Sequence, residues 1–287
     1  MEEKRQSDNL YFMDPENAAE MARLLLQDRL FTKAMGGLFP EPISPQSSVI
    51  DIGCGPGAWL LDLVNEWVKQ DPECSGTVLG VDIDQQMIRY AQAQAQAFDA
   101  DNAHFEILDI RPLPWPYPDA SFDIVNARLI AFFPPNEWPD LVKEMARITR
   151  PGGVVRLTET EMSVSNSPAL ETWHEWFFQA LHRAGQSFSA NGHRVTITAQ
   201  LSPSLRRAGL SGIKTRAYGI DWSSQAEAHD IMYNNFMLGC KLFEPFLIAT
   251  GTAGQEELDQ NYAQILVEMQ REDFAAIHYL LSAWGVK

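Results

Sequence analysis

Residues 49–59 read VIDIGCGPGAW. Val49, Ile50 and Ile52 form a short apolar run with one acid, Asp51, inside it, and Gly53, Gly55 and Gly57 follow at every second position. An apolar run bounded by glycines reads as a buried strand, and Leu60, Leu63, Val64, Trp67 and Val68 then repeat with helical spacing. Glycine accepts positive φ and leaves room for a ligand, and a glycine loop between strand and helix aims amide N–H groups outward. GCGPGA fits the loose pattern G-x-G-x-x-G/A with Ala58 in the last place. Taken alone, it fits a tight strand–helix turn as well as a nucleotide-like ligand.

The alternation continues downstream. TVLGVD (77–82) is a second strand, and Asp84 caps a helix with a stripe of Met87, Ala91, Ala95 and Phe98. AQAQAQA (91–97) alternates like a strand, but Ala and Gln favour helix and Ala is poor in strands, so helix is expected. HFEILDI (104–110) and FDIVNA (122–127) are the third and fourth strands. Leu141, Met145 and Ile148 mark a helix closed by RPGG (150–153), and VVRLTE (154–159) is the fifth strand. Strands alternating with helices predict an α/β fold with a parallel, doubly wound sheet, whose ligands bind beyond the carboxyl ends of the strands. Asp82, Asp109 and Asn126 end successive strands on that side.

On either side of this core the pattern changes. Asp14-Pro15 predicts the start of a helix over 15–34, and PEPISPQS (40–47) a linker of turn formers. After residue 160 come an aromatic helix (168–185), a helix at 198–210, a strand at 213–220, an apolar helix (226–249), a helix at 255–272 and an edge strand at 274–285. The expected division is a helical N-terminal lid (1–47), a ligand-binding core (48–160), and helical cap insertions with the remaining core helix and strands (161–287).

Composition bounds the partners. The 287 residues are 45% hydrophobic and 21% charged with a net charge of −16, which supports a globular core and argues against a nucleic-acid partner. The three cysteines have neither metal-ligand nor redox spacing, as expected in a reducing compartment. The start of the chain lacks an apolar signal segment, and no stretch reaches the ~18 apolar residues of a membrane span. A cytoplasmic protein is expected, and a homodimer stays open.

At this point the sequence resembles the class I S-adenosylmethionine-dependent methyltransferases of the small-molecule type, similar to those of ubiquinone and menaquinone biosynthesis. The matching stretches are VIDIGCGPG (49–57), VLGVDID (78–84), LDIRPLPWP (108–116), SFDIVNARL (121–129) and ITRPGGVVRLTE (148–159). The resemblance implies a Rossmann-like seven-stranded sheet with the last strand antiparallel. It implies that Asp51 and the backbone at Gly53, Gly55 and Gly57 hold the methionine part of S-adenosylmethionine. Asp82 would take the ribose hydroxyls with Ile83 against the adenine, and Asp109 and Ile110 would bind the adenine edge. Asn126 would offer its backbone carbonyl to the methionine ammonium, and Arg128 would sit near the substrate. LPWPYPDASFD (113–123) is longer than the LPFPDNSFD common in the family, which changes the loop but not the strand.

The implied activity is in-line methyl transfer to an O, N or C nucleophile of a small, partly apolar molecule, aromatic ones included, leaving S-adenosylhomocysteine. Its rivals are a non-catalytic or repurposed binding protein of the same fold and, further off, a nicotinamide-dependent oxidoreductase. The NPPY-like motif of nucleobase and glutamine methylation is missing after the fourth strand. No HExxH or paired acidic metal motif appears, so no metal is expected. The preactivated methyl group makes positioning sufficient unless the nucleophile must lose a proton. His174, sharing a stripe with Phe178 and His182, is the catalytic base candidate, ahead of His193 and His229. The helix that His229 opens offers Tyr233, Phe236 and Met237 to an apolar substrate pocket, and Tyr11 and Phe12 would fold over it.

Overall fold

The computed structural model describes residues 18–130 and 133–287. Its centre is a seven-stranded sheet in the order β3-β2-β1-β4-β5-β7-β6. The strands are β1 (Ser48–Ile52), β2 (Thr77–Asp82), β3 (Ala103–Ile107), β4 (Phe122–Arg128), β5 (Thr149–Ser165), β6 (Ser211–Asp221) and β7 (Ala276–Val286). β1 pairs in parallel with β2 on one side and β4 on the other, and β7 runs antiparallel between β5 and β6. β1 is apolar and buried on both faces, as a central parallel strand must be. The chain reverses its winding between β1 and β4, and the crevice beyond their carboxyl ends is where such sheets take ligands.

Period-two alternation divides the core. Val49 and Ile124 face α2 (Ala58–Gln70) and α3 (Gln85–Ala97), while Ile50, Ile52 and Val125 face α4 (Trp138–Ile148) and α6 (Leu201–Arg207). A third apolar cluster lies outside this sandwich. It joins α1 (Ala18–Ala34), α5 (Pro168–Arg183), α7 (His229–Ala249) and α8 (Gln255–Met269) to β6 and β7. Among the described residues no helix is long and apolar enough to cross a membrane.

AQAQAQA lies in α3, whose N-cap Asp84 accepts from the Gln86 and Met87 amides (2.8 and 2.9 Å). Other expectations need correction. The stripe of α3 ends at Ala95, and Phe98, its C-cap, is 68% exposed. β3 stops at Ile107: the Leu108 amide makes the last ladder bond to β2, at Asp82 O (2.9 Å), and Asp109 and Ile110 sit on a loop beyond it. Asn126 lies within β4 rather than at its end. The helix expected at 198–210 is a 3-10 turn, Thr198–Gln200, followed by the short α6. The final segment is no edge strand: β7 is interior and β6 is the edge.

Candidate active site

The loop leaving β1 is a sequence of left-handed turns. Gly53, Gly55 and Gly57 have φ of +70, +52 and +77°. The Gly53 and Cys54 amides both donate to Val81 O (2.9 Å each), and the Gly57 amide donates back to Cys54 O (3.1 Å) before α2 begins. The glycines serve different purposes. A Cβ at Gly55 would meet nothing within 4 Å, so its backbone borders open space. A Cβ at Gly57 would fall 2.6 Å from Phe105 and 2.8 Å from Ala91. Gly57 therefore packs the loop on β3 and α3, and it does not line the cavity.

The acids gather around this loop. The Asp82 carboxylate accepts from the Gly55 amide (2.8 Å) and the Asp84 amide (2.9 Å), which fixes its orientation and leaves a further lone pair on each oxygen. Burial raises its pKa, against these amide bonds. Asp51, Asn126 and Arg156 form an in-register row across β1, β4 and β5. Asn126 Nδ2 donates to Asp51 Oδ1 (2.6 Å). Burial pushes the Asp51 carboxyl up to about 7, although the Asn126 hydrogen bond and the Arg156 charge favour ionisation. Burial is the largest single influence on Asp109, but the Arg111 side chain (Nε 3.1 Å, Nη2 2.8 Å), amide (3.0 Å) and charge together outweigh it and hold the carboxyl below its ordinary value.

One cavity of about 380 Å³ joins Asp51, Gly53, Gly55, Asp82, Ile83, Asp109 and Ile110 to a second chamber. That chamber is walled by Phe31 from α1, Trp173 and Phe177 from α5, and Phe236 and Phe243 from α7. Arg128 lines the passage, where it pairs with Asp28, donates to Thr32 Oγ1 (3.2 Å) and lies over the Trp59 ring (5.7 Å). Burial, with Arg156 nearby, lowers its pKa to about 9.

Asn126, His174, Tyr233 and Met237 do not reach the cavity wall. Asn126 is fully buried in the sheet behind Asp51. His174 is packed among Trp173, Phe178 and Phe236, and burial, with His278 nearby, pulls its pKa down to about 3. Tyr233 faces away, its hydroxyl accepting from Gln270 Nε2 (2.9 Å). Tyr11 and Phe12 lie outside the described residues.

Sequence reasoning missed His278, which does line the cavity. Its ring stacks on Phe31 (5.4 Å, 22°), and its nitrogens meet the Thr160 (2.6 Å) and Ser163 (3.0 Å) hydroxyls. Burial lowers its pKa to about 4. No pattern in the sequence marked it, because the apolar Ile277 and Tyr279 on either side are the exposed residues while His278 shares the buried face of β7 with Ala276 and Leu280. Among the described residues no group of three or more His, Cys, Asp or Glu is placed to hold a metal ion. The arrangement can fix a polar, partly cationic ligand over the glycine loop and hold an apolar ring system beside it.

Residues 49–153 match the family model described as a methyltransferase domain. The chain is similar to 27-O-demethylrifamycin SV methyltransferase of Amycolatopsis mediterranei, 31% identical over 55% of this chain and 52% of that protein. It is similar to demethylmenaquinone methyltransferase of Lysinibacillus sphaericus, 31% identical over 42% of this chain and 47% of that protein. It thus spans about half the length of these curated relatives. In fold it is similar to phosphoethanolamine N-methyltransferase 2 of Haemonchus contortus in complex with S-adenosyl-L-methionine, with a TM-score of 0.51 at 16% identity over 93% of this chain and 52% of that one.

Proposed function

We propose that this chain transfers the methyl group of S-adenosylmethionine to an oxygen, nitrogen or carbon nucleophile of a small, partly apolar molecule, a reading supported by the match of residues 49–153 to a methyltransferase domain and by the likeness to small-molecule methyltransferases. The observation that carries the reading is one cavity shared by the open backbone at Gly55, the carboxylates Asp51, Asp82 and Asp109, and an aromatic chamber. The space beside Gly55 and the acceptor-only carboxylates fit a cofactor with hydroxyl, amine and cationic groups.

When bound, S-adenosylmethionine supplies a sulfonium methyl already activated for displacement. The backbone at Gly53 and Gly55 borders its methionine part, and Asp51 faces the ammonium end. Asn126 holds the Asp51 carboxylate through its side chain (2.6 Å) and so positions that group without touching the ligand. Asp82 uses its remaining lone pairs for the ribose hydroxyls, with Ile83, Asp109 and Ile110 around the adenine. Arg128 and Phe236 border the acceptor. α1 acts as a lid that excludes water. His174 and His278 are held neutral by burial, which supports a reaction governed by alignment, worth about 7–11 kcal/mol in well-oriented cases.

The test is calorimetric titration with S-adenosylhomocysteine, with NADH as control. Wild type should bind the former alone. Asp82→Ala should lose at least about tenfold in affinity, since each charge-assisted hydrogen bond contributes ~1.5–3 kcal/mol. Unchanged affinity in a folded Asp82→Ala variant, or preference for NADH, would sink the proposal.

A further inference from the structure

Phe31, Trp173, Phe177, Phe236 and Phe243 wall the chamber beyond the glycine loop, and beside them the Asp28 carboxylate keeps one oxygen without a hydrogen-bond partner among the described residues. Asp28 lines the cavity from α1, one turn before Phe31. Its Oδ1 is taken by Arg128, but its Oδ2 is buried and has no hydrogen-bond partner among the described residues. The ion pair is itself largely out of water, with side-chain exposures of 13% for Arg128 and 12% for Asp28. The other contacts of Arg128 lie elsewhere: its Nη1 donates to Thr32 Oγ1 (3.2 Å) and its guanidinium carbon lies 5.7 Å from the Trp59 ring centre. A carboxylate can only accept, so this oxygen calls for an N–H or O–H.

α7, which packs beside α1, presents Asn235, Phe236, Gly239 and Phe243 to the same cavity. A Cβ at Gly239 would meet nothing within 4 Å, which leaves a recess on the helix face that carries Phe236 and Phe243. A flat ring fits such a recess, with aromatic faces around it. Resting on the methyltransferase reading, we propose that the methyl acceptor is an aromatic molecule carrying a hydroxyl or amine, and that Asp28 Oδ2 receives the hydrogen bond from that group. Asp28 thereby selects acceptors that carry a donor over those already capped.

The probes are 2-naphthol, 2-naphthylamine and 2-methoxynaphthalene, which share one ring system and differ in the donor. Each is titrated calorimetrically into wild type and Asp28→Asn, with and without S-adenosylhomocysteine. In wild type, naphthol or naphthylamine should bind at least about tenfold tighter than the methoxy compound, the effect of one hydrogen bond to a charged group. In Asp28→Asn the amide keeps its carbonyl on Arg128 and turns its NH₂ to the chamber, so the difference should shrink to within about twofold. Affinity for S-adenosylhomocysteine should be unchanged. The better of the two donor probes names the acceptor atom class.

Equal binding of all three probes in wild type would overturn the proposal without reference to any variant, as would failure of all three to bind. Persistence of the preference in Asp28→Asn would overturn it too. A loss of S-adenosylhomocysteine affinity in the variant would move Asp28 to the cofactor side and overturn its acceptor role. Failure of wild type to bind S-adenosylhomocysteine would instead sink the methyltransferase reading, while the probe comparison without it still decides the role of Asp28.

Discussion

Asp51 gives the site a pH dependence whose sign can be worked out. Its carboxyl titrates near 7 in the folded chain, well above an ordinary aspartate. Between about pH 4 and that value the folded protein keeps a proton that the unfolded chain has lost. Its contribution to stability therefore falls as pH rises through that window and is level above it. A cationic ligand beside it favours the carboxylate, so binding S-adenosylhomocysteine should expel a proton and tighten as pH rises through 7. Calorimetry at about pH 6.5 in buffers of different ionisation enthalpy should record that release in wild type and not in Asp51→Asn. Identical heats in all buffers would remove Asp51 from the ligand. His174 calls for the opposite expectation, since it stays neutral and stands behind Phe236. His174→Ala should cost less than the ~10²–10⁴-fold of a lost general base, with an unaltered pH profile. Phe236→Ala, which opens the chamber wall, should cost more turnover. A drop of about a thousandfold for His174→Ala with binding intact would restore it as the base. Asp51, Asp82, Asp109 and the glycines of the loop were legible because each belongs to a short local motif. Asp28, Arg156 and His278 were not, because what gives each its meaning lies far away along the chain. Asp28 meets Arg128 at a separation of 100 residues and Thr160 meets His278 at 118.

The glycine loop offers a paired experiment on what each turn is for. Gly57→Ala combines a left-handed residue with a methyl 2.6 Å from Phe105. Strain and overpacking together should destabilise by about 2–4 kcal/mol in urea unfolding. Gly55→Ala meets open space and should cost only about 1–2 kcal/mol from its φ of +52°, but its methyl should obstruct S-adenosylhomocysteine. If both variants destabilise equally and both bind normally, Gly55 does not border the ligand. The loop's position was readable because its flanking strand and helix have unambiguous periods. The end of β3 was not: ILDI continues the apolar run, and only the turn at Asp109, whose Oδ1 accepts from the Arg111 amide (3.0 Å), takes the chain away from β2. Nor does any pattern in residues 276–286 tell an edge strand from an interior one. Pairing depends on β5 and β6, and the sequence shows no partner.

The three apolar clusters explain why half of the site was legible and half was not. Two of them belong to the sheet sandwich and follow from the alternation of strands and helices. The third joins α1 to helices from the other end of the chain, held at one point by Arg23 donating to Asn235 (2.8 Å), 212 residues away. Aromatic helices announce such a cluster, but the helix that closes over it cannot be read from them. The position of β7 has a consequence for how the chain comes together. β6 touches the sheet only through β7, which follows it in the chain. In pulse-labelled refolding, the amides of β6 should gain exchange protection together with those of β7 and never before. Protection of β6 alone would contradict this order. While residues 222–275 are still being added on the ribosome, β6 has bare N–H and C=O groups along both sides, with no strand of its own sheet to meet them. The nascent chain is then most open to pairing with the wrong neighbour, and a chaperone has most to protect.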